Sequence, residues 1–107
     1  MVPYHHNVYA VELDPSVRDD RCFAEANPNC SAKLPCLYVG LTGLTPEERF
    51  ARHKAGAQHS RIVKRYGLRL LPAMYEHLNP MSYEAAAEME AELAEELRSA
   101  GHGVWQH

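Results

Sequence analysis

A chain of 107 residues is expected to form one domain spanning residues 1–107, long enough to bury a modest core without disulfide or metal staples. Hydrophobic residues make up 46% and charged residues 23%, which is ordinary globular composition. No apolar run approaches the roughly 18 residues of a membrane span and no signal-peptide pattern is visible, so a soluble, cytoplasmic protein is expected. The net charge of −3 argues against a molecule that binds nucleic acid over its whole surface.

The distribution of charge is more informative than its sum. Seven of the eleven lysines and arginines lie between Arg49 and Arg69, with no acid among them, and six of the fourteen acids lie between Glu84 and Glu96. Such segregation fits a cationic working face on a mildly acidic protein. It equally fits two solvated helix faces of opposite sign docked together.

In chain order, residues 7–13 (NVYAVEL) alternate and are rich in β-formers, so a strand is predicted. Residues 14–34 carry Pro15, Asp19, Asp20 and Pro28 with few apolar side chains, and an irregular insertion is predicted there. Cys22, Cys30 and Cys36 cannot all pair with one another, and their spacing matches no standard zinc knuckle. Free thiols in a reducing compartment are the plain reading. A zinc site built from them with His5 or His6 is the competing one.

Residues 35–41 (PCLYVGL) read as a second strand, and Gly40 and Gly43 lead into a turn. Thr45-Pro46-Glu47-Glu48 is a helix start: Thr45 can cap, Pro46 suits the first helical position, and Glu48 can complete a capping box. This helix is predicted to run to about Ala55 and stop near Gly56. A shorter helix follows Ser60 and ends at Gly67. Residues 68–77 suggest a third strand, with Pro72 forcing an edge or a bulge. Ser82 then caps a long helix that runs to about Ala100 and ends at Gly101. The order strand, strand, helix, helix, strand, helix indicates a small α+β layer domain.

On a helical wheel Tyr83, Ala86, Leu93, Ala94, Leu97 and Ala100 share one stripe, and Glu84, Glu88, Glu92 and Glu95 lie opposite. Glu90 falls inside the apolar stripe. A carboxylate there needs an ion-pair partner, hydrogen bonds or a metal. Arg49 and His53 stand one turn apart on the capped helix, a guanidinium that can grip phosphate beside an imidazole that can move a proton. Tyr9 and Tyr38 lie on the two strands. A phenol becomes a useful base only beside cations or a metal. Gly40 permits close backbone approach.

Together these residues resemble the GIY-YIG nuclease family. Asn7-Val8-Tyr9 stands where the family has Gly-Ile-Tyr, and Tyr38-Val39-Gly40 where it has Tyr-Ile-Gly. Arg49 and His53 match its arginine with a histidine four positions on, and Glu90, Leu93 and Leu97 match its glutamate with apolar residues at plus three and plus seven. Asn7 replaces the first glycine, the 14–34 segment exceeds the family's usual connection, and Trp105-Gln106-His107 ends the chain where the family often has an asparagine. Gln106 or His107 is the candidate substitute.

The resemblance implies a three-stranded antiparallel sheet flanked by helices and an endonuclease that hydrolyses phosphodiesters, of DNA before RNA, with one Mg²⁺ or Mn²⁺ ion. It implies that Glu90 holds the ion, Arg49 neutralises a phosphate oxygen and Tyr38 orients phosphate or water. Tyr9, its pKa lowered by cations, would deprotonate the water, with His53 relaying or accepting the proton. Lys54, His59, Arg61, Lys64 and Arg65 would track the nucleic-acid backbone. Specificity would come from the insertion, a partner protein or an oligomer. The alternatives are an inactive nucleic-acid-binding module of the same fold and a zinc-stabilised interaction domain.

Overall fold

The alternating segment NVYAVEL forms strand β1 (Asn7–Leu13), and CLYVGLT forms β2 (Cys36–Thr42). In the computed structural model, which describes residues 4–56 and 60–106, they pair antiparallel from Asn7 opposite Thr42 to Leu13 opposite Cys36. Strand β3 (Gly67–Leu70) joins the other edge of β1, also antiparallel, with an irregularity between Glu12 and Leu13. A fourth strand, β4 (Val104–Gln106), lies parallel to β2, with Leu37 opposite Val104 and Val39 opposite Gln106. The sheet order is β3-β1-β2-β4. The fold is therefore α+β, but its sheet is mixed and four-stranded rather than three-stranded and antiparallel. Three residues are too few to show a periodicity, so β4 left no mark in the sequence pattern. The buried amide of Asn27 helps to hold it: Nδ2 donates to Phe23 O and Val104 O, and Oδ1 accepts from Val104 N.

The 14–34 segment departs from expectation in being largely ordered. A 3₁₀ turn covers Pro15–Asp19 and helix α1 covers Arg21–Ala26. Asp14 and Asp20, the second of which had suggested a loop, are the N-caps of these pieces. Val17 and Phe23 are fully buried and anchor them. The strand expected over 68–77 stops at Leu70. Pro72, which cannot donate to a ladder, opens a 3₁₀ turn over Pro72–Met74, and a second covers Glu76–Leu78.

The other helices begin and end as their caps dictate. Helix α2 (Pro46–Ala55) starts where Thr45 Oγ1 accepts from Glu48 N and stops at Gly56, whose φ of 85° favours glycine. Helix α3 (Arg61–Tyr66) is capped by Ser60, and α4 (Tyr83–Ser99) by Ser82. No described helix is long and apolar enough to cross a membrane.

The two sides of the sheet build two cores. Tyr9, Val11, Leu13, Cys36 and Tyr38 face Val17, Phe23, Ile62, Val63, Tyr66 and Tyr75. Val8, Val39 and Val104 pack against Ala86, Leu93 and Ala94 of α4. Tyr83 and Ala100, at the ends of the apolar stripe, are exposed, so only its middle is covered. Helix α4 runs back along β2. Tyr83 packs on His6, Glu90 meets Gln106 opposite Val39, and the chain beyond α4 reaches Leu34 at Gly101.

Candidate active site

The β1–β2 register puts Tyr9 opposite Gly40 and Val11 opposite Tyr38, so both tyrosines project from one face of the sheet. Their rings are buried, with centroids 5.9 Å apart. Gly40 makes this packing possible. A Cβ at that position would lie 2.8 Å from Tyr9 Oη and 2.9 Å from the Tyr38 ring. The glycine thus serves side-chain approach.

His53, on the same side, is fully buried. Its Nε2 is 2.8 Å from Tyr9 Oη, and its Nδ1 accepts the backbone N–H of Ser60 at 3.0 Å. A backbone N–H can only donate, which assigns Nδ1 as bare and places the ring proton on Nε2. Nε2–H then donates to the Tyr9 oxygen, and the Tyr9 hydroxyl proton points elsewhere. This arrangement conflicts with His53 as the acceptor of Tyr9's proton, because the nitrogen facing Tyr9 already carries one.

Electrostatics correct a second expectation. Burial pushes the Tyr9 phenol above its ordinary value. The Tyr38 hydroxyl and the Arg49 guanidinium pull it down without offsetting that, and Glu90 adds to the rise. Tyr9 is therefore raised, not lowered by its cationic surroundings. Tyr38 is raised further, by burial first and by the Tyr9 phenol second, with Arg49 again opposing and Glu90 again adding. The Tyr38 hydroxyl lies buried beside Tyr9 without meeting the geometry of a hydrogen bond. Such a group typically costs ~1–3 kcal/mol unless a ligand or water satisfies it. Arg49 and Glu90 are both half-buried, and each acts on both phenols, so the four residues form one electrostatic unit.

Glu90 approaches from the α4 side, where β4 extends, among the described residues, only to Gln106 opposite Val39. Gln106 Nε2 donates to Glu90 Oε1 at 3.4 Å, and Arg98 Nη1 donates to Gln106 Oε1 at 2.7 Å. Arginine only donates, so it turns the Gln106 carbonyl toward itself and the amide nitrogen toward Glu90. The sequence marks Gln106 for the site and Ser60 only as a helix start, and no motif signals that Arg98 orients Gln106 or that Ser60 meets His53. A half-exposed carboxylate of this kind suits a hard divalent ion that keeps water ligands and takes others from a substrate phosphate.

The basic cluster is partly used within the fold, which corrects the expectation that it tracks a backbone as a set. Lys54 Nζ donates to Lys64 O and Gly67 O at the end of α3. Arg61 pairs with Asp20 at 2.6 Å and holds that carboxyl at about 2, well below the usual carboxylate range. Arg69 pairs with Glu12. Arg65 is exposed, its guanidinium 5.3 Å from the Tyr66 ring centre, and Lys64 is exposed. His59 and His107 lie outside the described residues. The cysteines are free thiols. Cys36 sits opposite Leu13 while His6 precedes Asn7, which places them at opposite ends of β1, roughly 23 Å apart at about 3.3 Å per residue. The zinc arrangement with His5 or His6 is therefore not assembled. Among the described residues no three His, Cys, Asp or Glu side chains come together as a ligand set. When the chain is compared with protein-family models, with curated proteins and with solved structures, nothing matches it.

Proposed function

We propose that this chain is a metal-dependent endonuclease of the GIY-YIG type, hydrolysing phosphodiester bonds in nucleic acid, DNA before RNA. The observation that carries the reading is the packing of Tyr9, Tyr38 and His53 together on one face of the sheet, with Arg49 of α2 and Glu90 of α4 near enough to bias both phenols. Motif order along the chain and the Tyr9–Tyr38–His53 packing both support this reading. Glu90 would hold one Mg²⁺ or Mn²⁺ ion, which stabilises charge developing on the phosphate and leaving oxygen.

The chain's own residues would do the rest. Arg49 neutralises a non-bridging phosphate oxygen. Water forms the new bond to phosphorus and gives its proton to the Tyr9 oxygen, while the bond to one sugar oxygen breaks and that oxygen takes a proton from solvent. Tyr9 acts from its phenolate form, a minor population that the His53 Nε2–H and Arg49 favour. Tyr38 directs its otherwise unsatisfied hydroxyl to phosphate or water. Because both phenols are raised, cleavage should climb with pH from about 7 to about 9 without levelling off.

The raised phenols equally favour one rival, a module that binds nucleic acid without cutting it. A cleavage screen of single- and double-stranded DNA and RNA with Mg²⁺ and Mn²⁺ separates the two. Cutting that needs the ion and is lost in Glu90→Gln supports the nuclease, and binding without cutting supports the module.

A further inference from the structure

The end of the sheet beside the α4 N-terminus takes no part in the proposed chemistry, yet it presents an aromatic surface in line with Glu90. Tyr83 and Glu90 are seven residues apart, so they leave α4 from the same side, about 10 Å apart along its axis. That span covers about three stacked nucleotide steps of roughly 3.4 Å. The Tyr83 residue is 56% exposed. Its ring meets His6 edge-on at 5.3 Å, and His6 meets His5 at 4.8 Å. Beside them Tyr4, His5, Asn7, Gly43, Leu44 and Glu48 border an open cavity of about 610 Å³, within the usual size of a small-ligand site. No lysine or arginine lines it, and Glu48 does, so its chemistry disfavours phosphate and leaves flat, uncharged rings.

We propose that this aromatic step receives an unpaired base of the strand whose phosphate lies at Glu90. The preferred substrate is then single-stranded, flapped or frayed nucleic acid rather than intact duplex. A base inside a duplex has both faces occupied by its neighbours, whereas an unpaired base is free to stack on a tyrosine or histidine ring. The location of the phosphate rests on the nuclease reading; the stacking surface itself does not.

The test uses the full chain with divalent ions chelated, so that cleavage plays no part. A single-stranded oligonucleotide carrying one 2-aminopurine, and its fully paired duplex, are titrated against the parent, Tyr83→Ala and Tyr83→Phe. The parent should bind the single strand more tightly than the duplex and quench the probe. Tyr83→Ala should weaken single-strand binding roughly 5- to 100-fold and abolish the quenching, with duplex binding unchanged. Tyr83→Phe keeps the ring and should match the parent within about twofold. Tyr83 is exposed, so both variants should melt as the parent does. Single-strand binding that is unchanged in Tyr83→Ala, or a parent that prefers duplex, overturns the stacking site and leaves the nuclease reading standing. A parent that binds no nucleic acid at all overturns both.

Discussion

On the α2 side of the candidate site Tyr9, Tyr38 and His53 are almost wholly buried, and contacts of 2.8 and 3.0 Å fix the imidazole between Tyr9 and Ser60. On the α4 side Glu90 is half-buried and meets Gln106 at 3.4 Å, with Arg98 behind it. On the proposed nuclease reading, the contrast suits what each half would do. A group that handles protons benefits from a dry, fixed setting, whereas a carboxylate that shares an ion with water and substrate must stay accessible.

The sharpest way to break this comparison is Glu90→Gln. It should lower ion-dependent cleavage roughly 100- to 1000-fold and leave thermal melting nearly unchanged, with Glu92→Gln on the solvated face as the control. Unfolding of Glu90→Gln in a melting experiment would show instead that the carboxylate is structural. Gly40→Ala tests the dry half. The new Cβ would press on two buried rings, so stability should fall by ~1–3 kcal/mol in denaturant titrations and cleavage should fall with it. A fully stable, fully active variant would show that this half has more room than its packing indicates.

A finer contrast lies within the dry half. Tyr9→Phe removes the oxygen that His53 Nε2 bonds and should destabilise by ~1–3 kcal/mol, whereas Tyr38→Phe removes a buried hydroxyl without a hydrogen bond and should be neutral or slightly stabilising. Equal losses from the two would mean that water satisfies Tyr38. The smallest effect belongs to neither half. Asp20 has its pKa depressed from 3.8 to about 2 by Arg61, so its contribution is complete above about pH 4 and is lost as pH falls toward 2. Asp20→Asn should flatten a stability–pH curve in that window alone.

Helix ends were legible wherever a cap names itself: Thr45, Ser60 and Ser82 at the starts, Gly56 at a stop. The wheel picked out Glu90 because one helix's periodicity is a local property. What escaped was non-local or short. β4 is three residues long and exists through pairing with β2 and Asn27. The capping role of Asp14 and Asp20 was hidden because the residue types that cap helices also fill loops. The fate of Lys54 and Arg61 depended on which carbonyls and carboxylates the fold would bring to them. The rise at Tyr9 could not be read from nearby arginines, because depth of burial outweighs them and is invisible in sequence.

Ser60 both caps α3 and donates its backbone N–H to His53. Helix docking and imidazole tautomer are consequently one event. A displacement of α3 would therefore release the buried His53 ring together with the start of the helix.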